Sequence, residues 1–190
     1  MDIVKAIELA LTVKSNWLWK HSVRVANLYS EIGSKLGIID KDKAYVAGII
    51  HDIGKVLVPD GVLNKESDLT EREWEVMKMH PVWGVNEILD IESFVEFKDL
   101  VLYHHECIGG SGYPEGIDLR NLSDDVKLLH IVDRFCALTE DRPYRAKYNK
   151  NIAMRLIKND LVKLFDNHYE IERHLMSYDF LDNKAGILCR

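Results

Sequence analysis

The chain has 190 residues, 47% of them hydrophobic and 29% charged, with a formal net charge of −6. That is the balance of a soluble globular protein able to bury a core without staples, in one domain or one domain plus a short extension. The acidic balance argues against a broad nucleic-acid surface, so DNA and RNA are not expected partners. A small anionic substrate stays open, because bound divalent ions and a few local arginines reverse the field inside one pocket. Cys107, Cys136 and Cys189 form no CxxC pair and are odd in number, which speaks against a disulfide framework and for a reducing cytoplasm. No stretch approaches 18 apolar residues, and the N-terminus carries Asp2 and Lys5 among its apolar residues, so neither a membrane span nor a signal peptide is expected.

Helical periodicity dominates from the start. An N-terminal helical segment is expected over 1–14. Residues 20–36 place Val23, Val25, Ala26, Leu28, Tyr29 and Ile32 at roughly helical spacing, with Gly37 as a stop. Residues 41–53 read as a buried helix. Thr70 opens a capping-box pattern with Glu73, and a helix should follow towards His80. Residues 93–106 read as another helix, ending at a histidine pair. Residues 107–121 hold four of the eleven glycines and one of the four prolines and form a loop. Ser123 is the expected N-cap of a helix running to about Leu138, with Asp124 and Asp125 suited to the dipole of its first turn. Two more helices are expected over 150–177. No period-2 strand pattern appears, so the fold class is all-α: a helical bundle with its main domain over 15–160 and a C-terminal extension over 161–190.

The placement of the eight histidines carries the chemistry. His51 and Asp52 set imidazole and carboxylate side by side, the two ligand types that transition metals accept together. Neighbours on a helix point about 100° apart, so the pair can reach two points of a cluster, and a carboxylate can bridge two ions. His104 and His105 can work the same way. Each signal alone is weak: a lone His21 on an apolar face is more often a core residue, and HHE by itself reads as a solvated helix end. The context adds weight. His51-Asp52 follows the apolar run AYVAGII and precedes Gly54, an expensive place for a charged pair without a partner or a metal. His130, His168 and His174 lack such context and read as structural or surface residues.

The series HDIGK, HPVWG, HHECIGGSGYP and DRFCALTEDRPYR, over about residues 15–160, resembles in order and spacing the motifs of HD-GYP domains, a subgroup of the HD phosphohydrolase superfamily. The resemblance implies a helical bundle that hydrolyses cyclic dinucleotides, chiefly cyclic di-GMP to linear pGpG or GMP, through a hydroxide activated between two metal ions. By that resemblance His21, His51, Asp52 and Asp133 surround one ion, and Asp52, His80, His104 and His105 the other. The expected metals are iron or manganese, with Zn, Ni, Co or Mg as alternatives. Lys55 matches a lysine beside the substrate phosphate, and Arg142 and Arg145 match basic residues that contact phosphate. Gly112, Tyr113 and Pro114 belong to a loop near the site, with a conformational and recognition role.

Three positions depart from the family pattern. Gly109 and Cys136 stand where aspartates are usual, which bears on loop packing and substrate fit. Trp17 stands where three-metal members carry a glutamate, so two ions per chain are expected. The competing readings are an HD phosphohydrolase acting on mononucleotides or other phosphate esters, and a non-catalytic module that binds a cyclic dinucleotide or a partner. A homodimer or a signalling-protein partner fits either.

Overall fold

The computed structural model describes residues 3–88, 92–142 and 145–179, so Cys189 and the end of the expected 161–190 extension lie outside the described residues. Among the described residues the elements are helical throughout, and the bridge between Arg142 and Arg145 is isolated rather than part of a strand. The main helices are α1 (Ile3–Lys14), α2 (Asn16–Lys35), α3 (Lys41–Ile50), a four-residue α4 (Asp60–Leu63), α5 (Glu71–Lys78), a four-residue α6 (His80–Trp83), α7 (Lys98–Tyr103), α8 (Asp124–Leu138), α9 (Lys150–Leu164) and α10 (His168–Ser177).

The core gathers around α2 and α8, whose fully buried side chains include Leu18, Leu28, Tyr29, Ile32, Leu128, Leu129 and Phe135. The outermost helices share it, with Leu11 of α1 and Ile171 and Leu175 of α10 fully buried in the same cluster. Close approach of α2 and α3 depends on Gly48, where an added Cβ would stand 2.3 Å from the Ala26 Cα.

The helices bearing the histidines end sooner than periodicity predicts. The helix expected over 41–53 stops at Ile50, His51 is its C-cap, and Ile53–Leu57 continue as a 3-10 turn. The helix expected over 93–106 is a 3-10 turn over Glu92–Phe97 followed by α7, which ends at Tyr103, one residue before the histidine pair. In both places the histidine ring takes the backbone carbonyl three residues earlier, so the chain turns where the apolar pattern runs on. The capping box at Thr70 forms as read, with Glu73 N–H donating to Thr70 Oγ1 and the Thr70 N–H donating to Glu73 Oε2. Ser123 precedes α8 as expected but makes no side-chain cap hydrogen bond.

Candidate metal centre and the cavity beside it

Five separate pieces of chain deliver the expected ligands to one buried place. His21 comes from the second turn of α2, His51 and Asp52 from the end of α3, and His80 from the junction of α5 and α6. His104 and His105 follow α7, and Asp133 lies two-thirds along α8. His21, His51, Asp52, His80 and His104 are all buried, none more than 1% exposed. Their donor atoms form two groups, Asp52 with His80, His104 and His105, and His21 with His51 and Asp133.

Asp52 joins the groups by splitting its oxygens between them. Oδ1 lies 3.1 Å from His80 Nε2 and 3.7 Å from His104 Nε2. Oδ2 lies 3.4 Å from His51 Nε2 and 3.7 Å from His21 Nε2. Asp133 Oδ1 closes the second group at 2.9 Å from His21 Nε2 and 3.7 Å from His51 Nε2.

The outer face of each ring explains why the inner nitrogen is free. Helix C-termini leave carbonyls without intrahelical partners, and three histidines use them. His51 Nδ1–H donates to Gly48 O at 2.7 Å, His80 Nδ1–H to Met77 O at 2.8 Å, and His104 Nδ1–H to Val101 O at 2.7 Å. That fixes the tautomer with the Nε2 lone pair inward. The Nε2 atoms of His51, His80 and His104, with Asp52 Oδ1, are buried without a hydrogen-bond partner. Buried acceptors facing one another are costly unless a cation sits among them. The donor set of imidazole and carboxylate fits divalent transition metals.

Electrostatics keep Asp52, Asp133, His80 and His105 in their ligand forms, and His51 is the exception. Burial opposes the charge on Asp52, but Lys55 and then His51 hold its carboxyl well below the usual range. Burial likewise opposes Asp133, which His21 and His51 hold low. Burial, aided by Lys55, pushes His80 down to about 4, and burial with His104 beside it lowers His105. On His51 burial is outweighed by Asp52 and Asp133, which raise it to about 10. A cation placed there takes over the role of that proton.

A cavity of about 480 Å³ opens beside the cluster, with His80, His105 and Asp133 in its wall. Lys55 and Arg142 supply positive charge there, and Trp17, Trp74 and Tyr113 supply aromatic surface. Lys55 Nζ reaches Asp52 Oδ2 at 2.6 Å. Tyr113 packs on the cluster, its ring 4.8 Å from His105 and 6.3 Å from His80. Gly112 and Pro114 flank it, and a Cβ at Gly112 would stand 2.4 Å from the Cys107 nitrogen, so the loop lies against the HHE turn only with glycine there.

Arg142 and Arg145 part company. Arg142 lines the cavity, its guanidinium 4.7 Å over the Trp17 ring and 2.5 Å from Glu140 Oε1. Arg145 turns back on α8 instead, donating to Ala137 O at 2.8 Å and Leu138 O at 3.4 Å, and is not among the cavity-lining residues. Two groups escaped the sequence reading. Glu140 sits against His21 and Arg142; it lies within the stretch DRFCALTEDRPYR, where no role was assigned to it. Glu106, fully buried, accepts from the Glu115 and Gly116 N–H groups at 2.8 and 3.0 Å and ties down the glycine loop; its place beside the histidine pair was the available signal. His130, read as structural or surface, is structural: its Nδ1–H donates to His104 O at 2.9 Å and steadies that residue's backbone.

Residues 5–168 match the model of a family described as HD domain. The chain belongs to the HD domain family. It is 35% identical over 148 residues to a cyclic di-GMP phosphodiesterase of Pseudomonas aeruginosa, covering 76% of this chain and 36% of that one. It is 31% identical over 166 residues to 3'3'-cGAMP-specific phosphodiesterase 3 of Vibrio cholerae, covering 86% and 36% respectively. The chain thus spans little more than a third of the length of these curated relatives. Among solved structures, the phosphodiesterase PgpH HD domain of L. monocytogenes in complex with cyclic-di-AMP superposes with a TM-score of 0.69. That match has 21% identity and covers 90% of this chain and 93% of that one. It confirms the all-α HD architecture, and the kinship expected from the motif series stands.

Proposed function

We propose that this chain is a metal-dependent phosphodiesterase domain that hydrolyses a cyclic dinucleotide, cyclic di-GMP being the first candidate. One observation carries the reading: a buried carboxylate, Asp52, offers one oxygen to each of two histidine groups, beside a cavity with Lys55 and Arg142 in its wall. The relatives support the substrate class, since their names specify cyclic di-GMP and 3'3'-cGAMP, and the fold neighbour holds cyclic-di-AMP.

His21, His51, Asp52 and Asp133 would hold one divalent ion, and Asp52, His80, His104 and His105 the other. Such a pair supplies Lewis acidity and ionises water near neutral pH. The residues do the rest. Lys55 neutralises charge on the phosphoryl oxygens and gives a proton to the departing sugar oxygen. Arg142 holds the second phosphate of the ring, for which its planar guanidinium is suited. Trp17, Trp74 and Tyr113 offer faces on which bases stack. Each turnover consumes one water, breaks one P–O bond to a sugar 3′-oxygen, and leaves a 5′-phosphate and a free hydroxyl: pGpG from cyclic di-GMP, or GMP after a second cut. Trp17, stacked under Arg142, brings no ligand to a third ion, so the loaded domain carries two; iron or manganese suits the mixed nitrogen and oxygen donors.

The test pairs metal analysis with product analysis. Wild-type protein purified without oxygen should carry two ions per chain and convert cyclic di-GMP to pGpG. Asp52→Asn should lose most of both properties, because an amide bridges two cations poorly. Wild-type occupancy and turnover in Asp52→Asn would sink the bridging assignment, and no turnover of any cyclic dinucleotide by the loaded wild type would sink the substrate class.

A further inference from the structure

Three of the ligand histidines sit at helix ends, where a free carbonyl lies within reach of Nδ1. His21 does not. It is the sixth residue of α2, where the preceding carbonyls are committed to the helix. For its Nε2 to face the cluster with a lone pair, the proton must sit on Nδ1, and that nitrogen needs an acceptor from elsewhere.

Two groups face His21 Nδ1. Arg142 Nη2 is 3.2 Å away and is only a donor. Glu140 Oε1 is 2.7 Å away and is only an acceptor when ionised. The contact lies off the ring N–H axis, since Glu140 Oε1 is buried without an aligned hydrogen bond. The carboxylate is nevertheless well anchored. Its side chain is 11% exposed, with Arg142 Nη2 at 2.5 Å from Oε1 and Arg24 Nε at 3.7 Å from Oε2. Arg24 is itself placed by donating to Thr139 Oγ1 at 3.1 Å.

We infer that Glu140 is a positioning residue for one half of the metal site: its carboxylate accepts a hydrogen bond from the Nδ1–H of His21 when the ion is bound, turning the Nε2 lone pair towards the ion shared with His51, Asp133 and Asp52, and it aligns Arg142 at the cavity wall. The inference rests on the proposed two-metal reading. A carboxylate behind a ligand histidine raises the basicity of that ligand, and its loss typically costs about ten- to a hundredfold in metal affinity. Here the loss should fall on one ion only, because His80 and His104 are held by the Met77 and Val101 carbonyls, away from Glu140.

Calorimetric titration of the metal-stripped full chain with Mn²⁺ tests this without reference to turnover. Wild type should take up two ions. Glu140→Ala should bind one ion with wild-type affinity and the other about ten- to a hundredfold more weakly. Glu140→Gln, which keeps an oxygen acceptor without the charge, should fall between them and serves as the test if the alanine variant does not fold. Unchanged affinities in both Glu140 variants would overturn the inference, as would equal weakening at both sites, which marks a general structural role. If wild type itself takes up no ion, the two-metal reading falls and the inference with it.

Discussion

At the scale of single residues, the two arginines of the DRPYR segment separate by what they touch. Arg142 faces the cavity from above Trp17, whereas Arg145 donates to the last carbonyls of α8 and stacks 4.5 Å over Tyr148. Arg142→Ala should therefore lower kcat/KM for cyclic di-GMP about ten- to a hundredfold, the worth of a charge-assisted contact of roughly 1.5–3 kcal/mol. Its effect on bis(p-nitrophenyl) phosphate, an ester with a single phosphate, should be much smaller. Arg145→Ala should instead lower the melting temperature, by the loss of about 1 kcal/mol of helix-end hydrogen bonding. Steady-state kinetics on both substrates beside thermal melts would settle it; equal kinetic losses from both variants would remove the distinction. The histidines and aspartates that meet in the buried cluster were legible, since His and Asp in fixed motifs need only their neighbours to be noticed. The separation of Arg142 from Arg145 was not. Twelve residues beyond Asp133 is far enough to reach the pocket or to fold back on the helix, and spacing does not choose between them. Glu140 was equally silent, because an acid in Thr-Glu-Asp at a helix end has the composition of a solvated cap.

At the scale of elements, the site depends on how closely the 3-10 turn Ile53–Leu57 lies on α6. A Cβ at Gly54 would stand 1.9 Å from His80 O and 2.6 Å from the Gly84 nitrogen, both rigid backbone. Gly54→Ala should therefore destabilise the fold by about 1–3 kcal/mol, as overpacking does, and should also weaken metal binding, since the atom displaced belongs to a ligand residue. Gly61 offers the contrast: nothing lies within 4 Å of a Cβ there, and Gly61→Ala in α4 should be neutral or stabilise by about 0.4–1 kcal/mol. Urea unfolding of both variants, followed by Mn²⁺ titration, checks the pair; a Gly54→Ala protein as stable as wild type would show that the turn yields. Periodicity found α2, α8, α9 and α10 because their apolar faces repeat with the helix. It overran α3 and the α7 region because Ile53 and the apolar residues before His104 continue the pattern after the hydrogen bonding has changed. A ring nitrogen capturing a carbonyl leaves no trace in hydropathy.

At the scale of the whole molecule, the ligands come from helices α2, α3 and α8 and from the turns around α6 and α7, so an ion held there cross-links most of the bundle. Mn²⁺ at a hundred times its dissociation constant should stabilise the fold by about 2.7 kcal/mol per site, read as a concentration-dependent rise in melting temperature that a chelator reverses. A melting temperature indifferent to both would mean that the cluster does not bind the ion in the folded state. Membership of the HD family was legible from the order of the motifs, whereas the cavity's aromatic wall was not, because Trp17 and Trp74 lie 57 positions apart and only the fold brings them to one space. The contact between Lys55 and Asp52 carries a consequence for the order of events. The lysine ammonium and the ion shared by His21 and His51 compete for the same oxygen, Asp52 Oδ2. An ion that took this oxygen would free the ammonium to turn into the cavity, towards the phosphate of the proposed substrate. On the proposed two-metal reading, loading with metal would come first and arm the lysine, so the domain would meet its nucleotide in a fixed order and would rest, folded, where the metal is scarce.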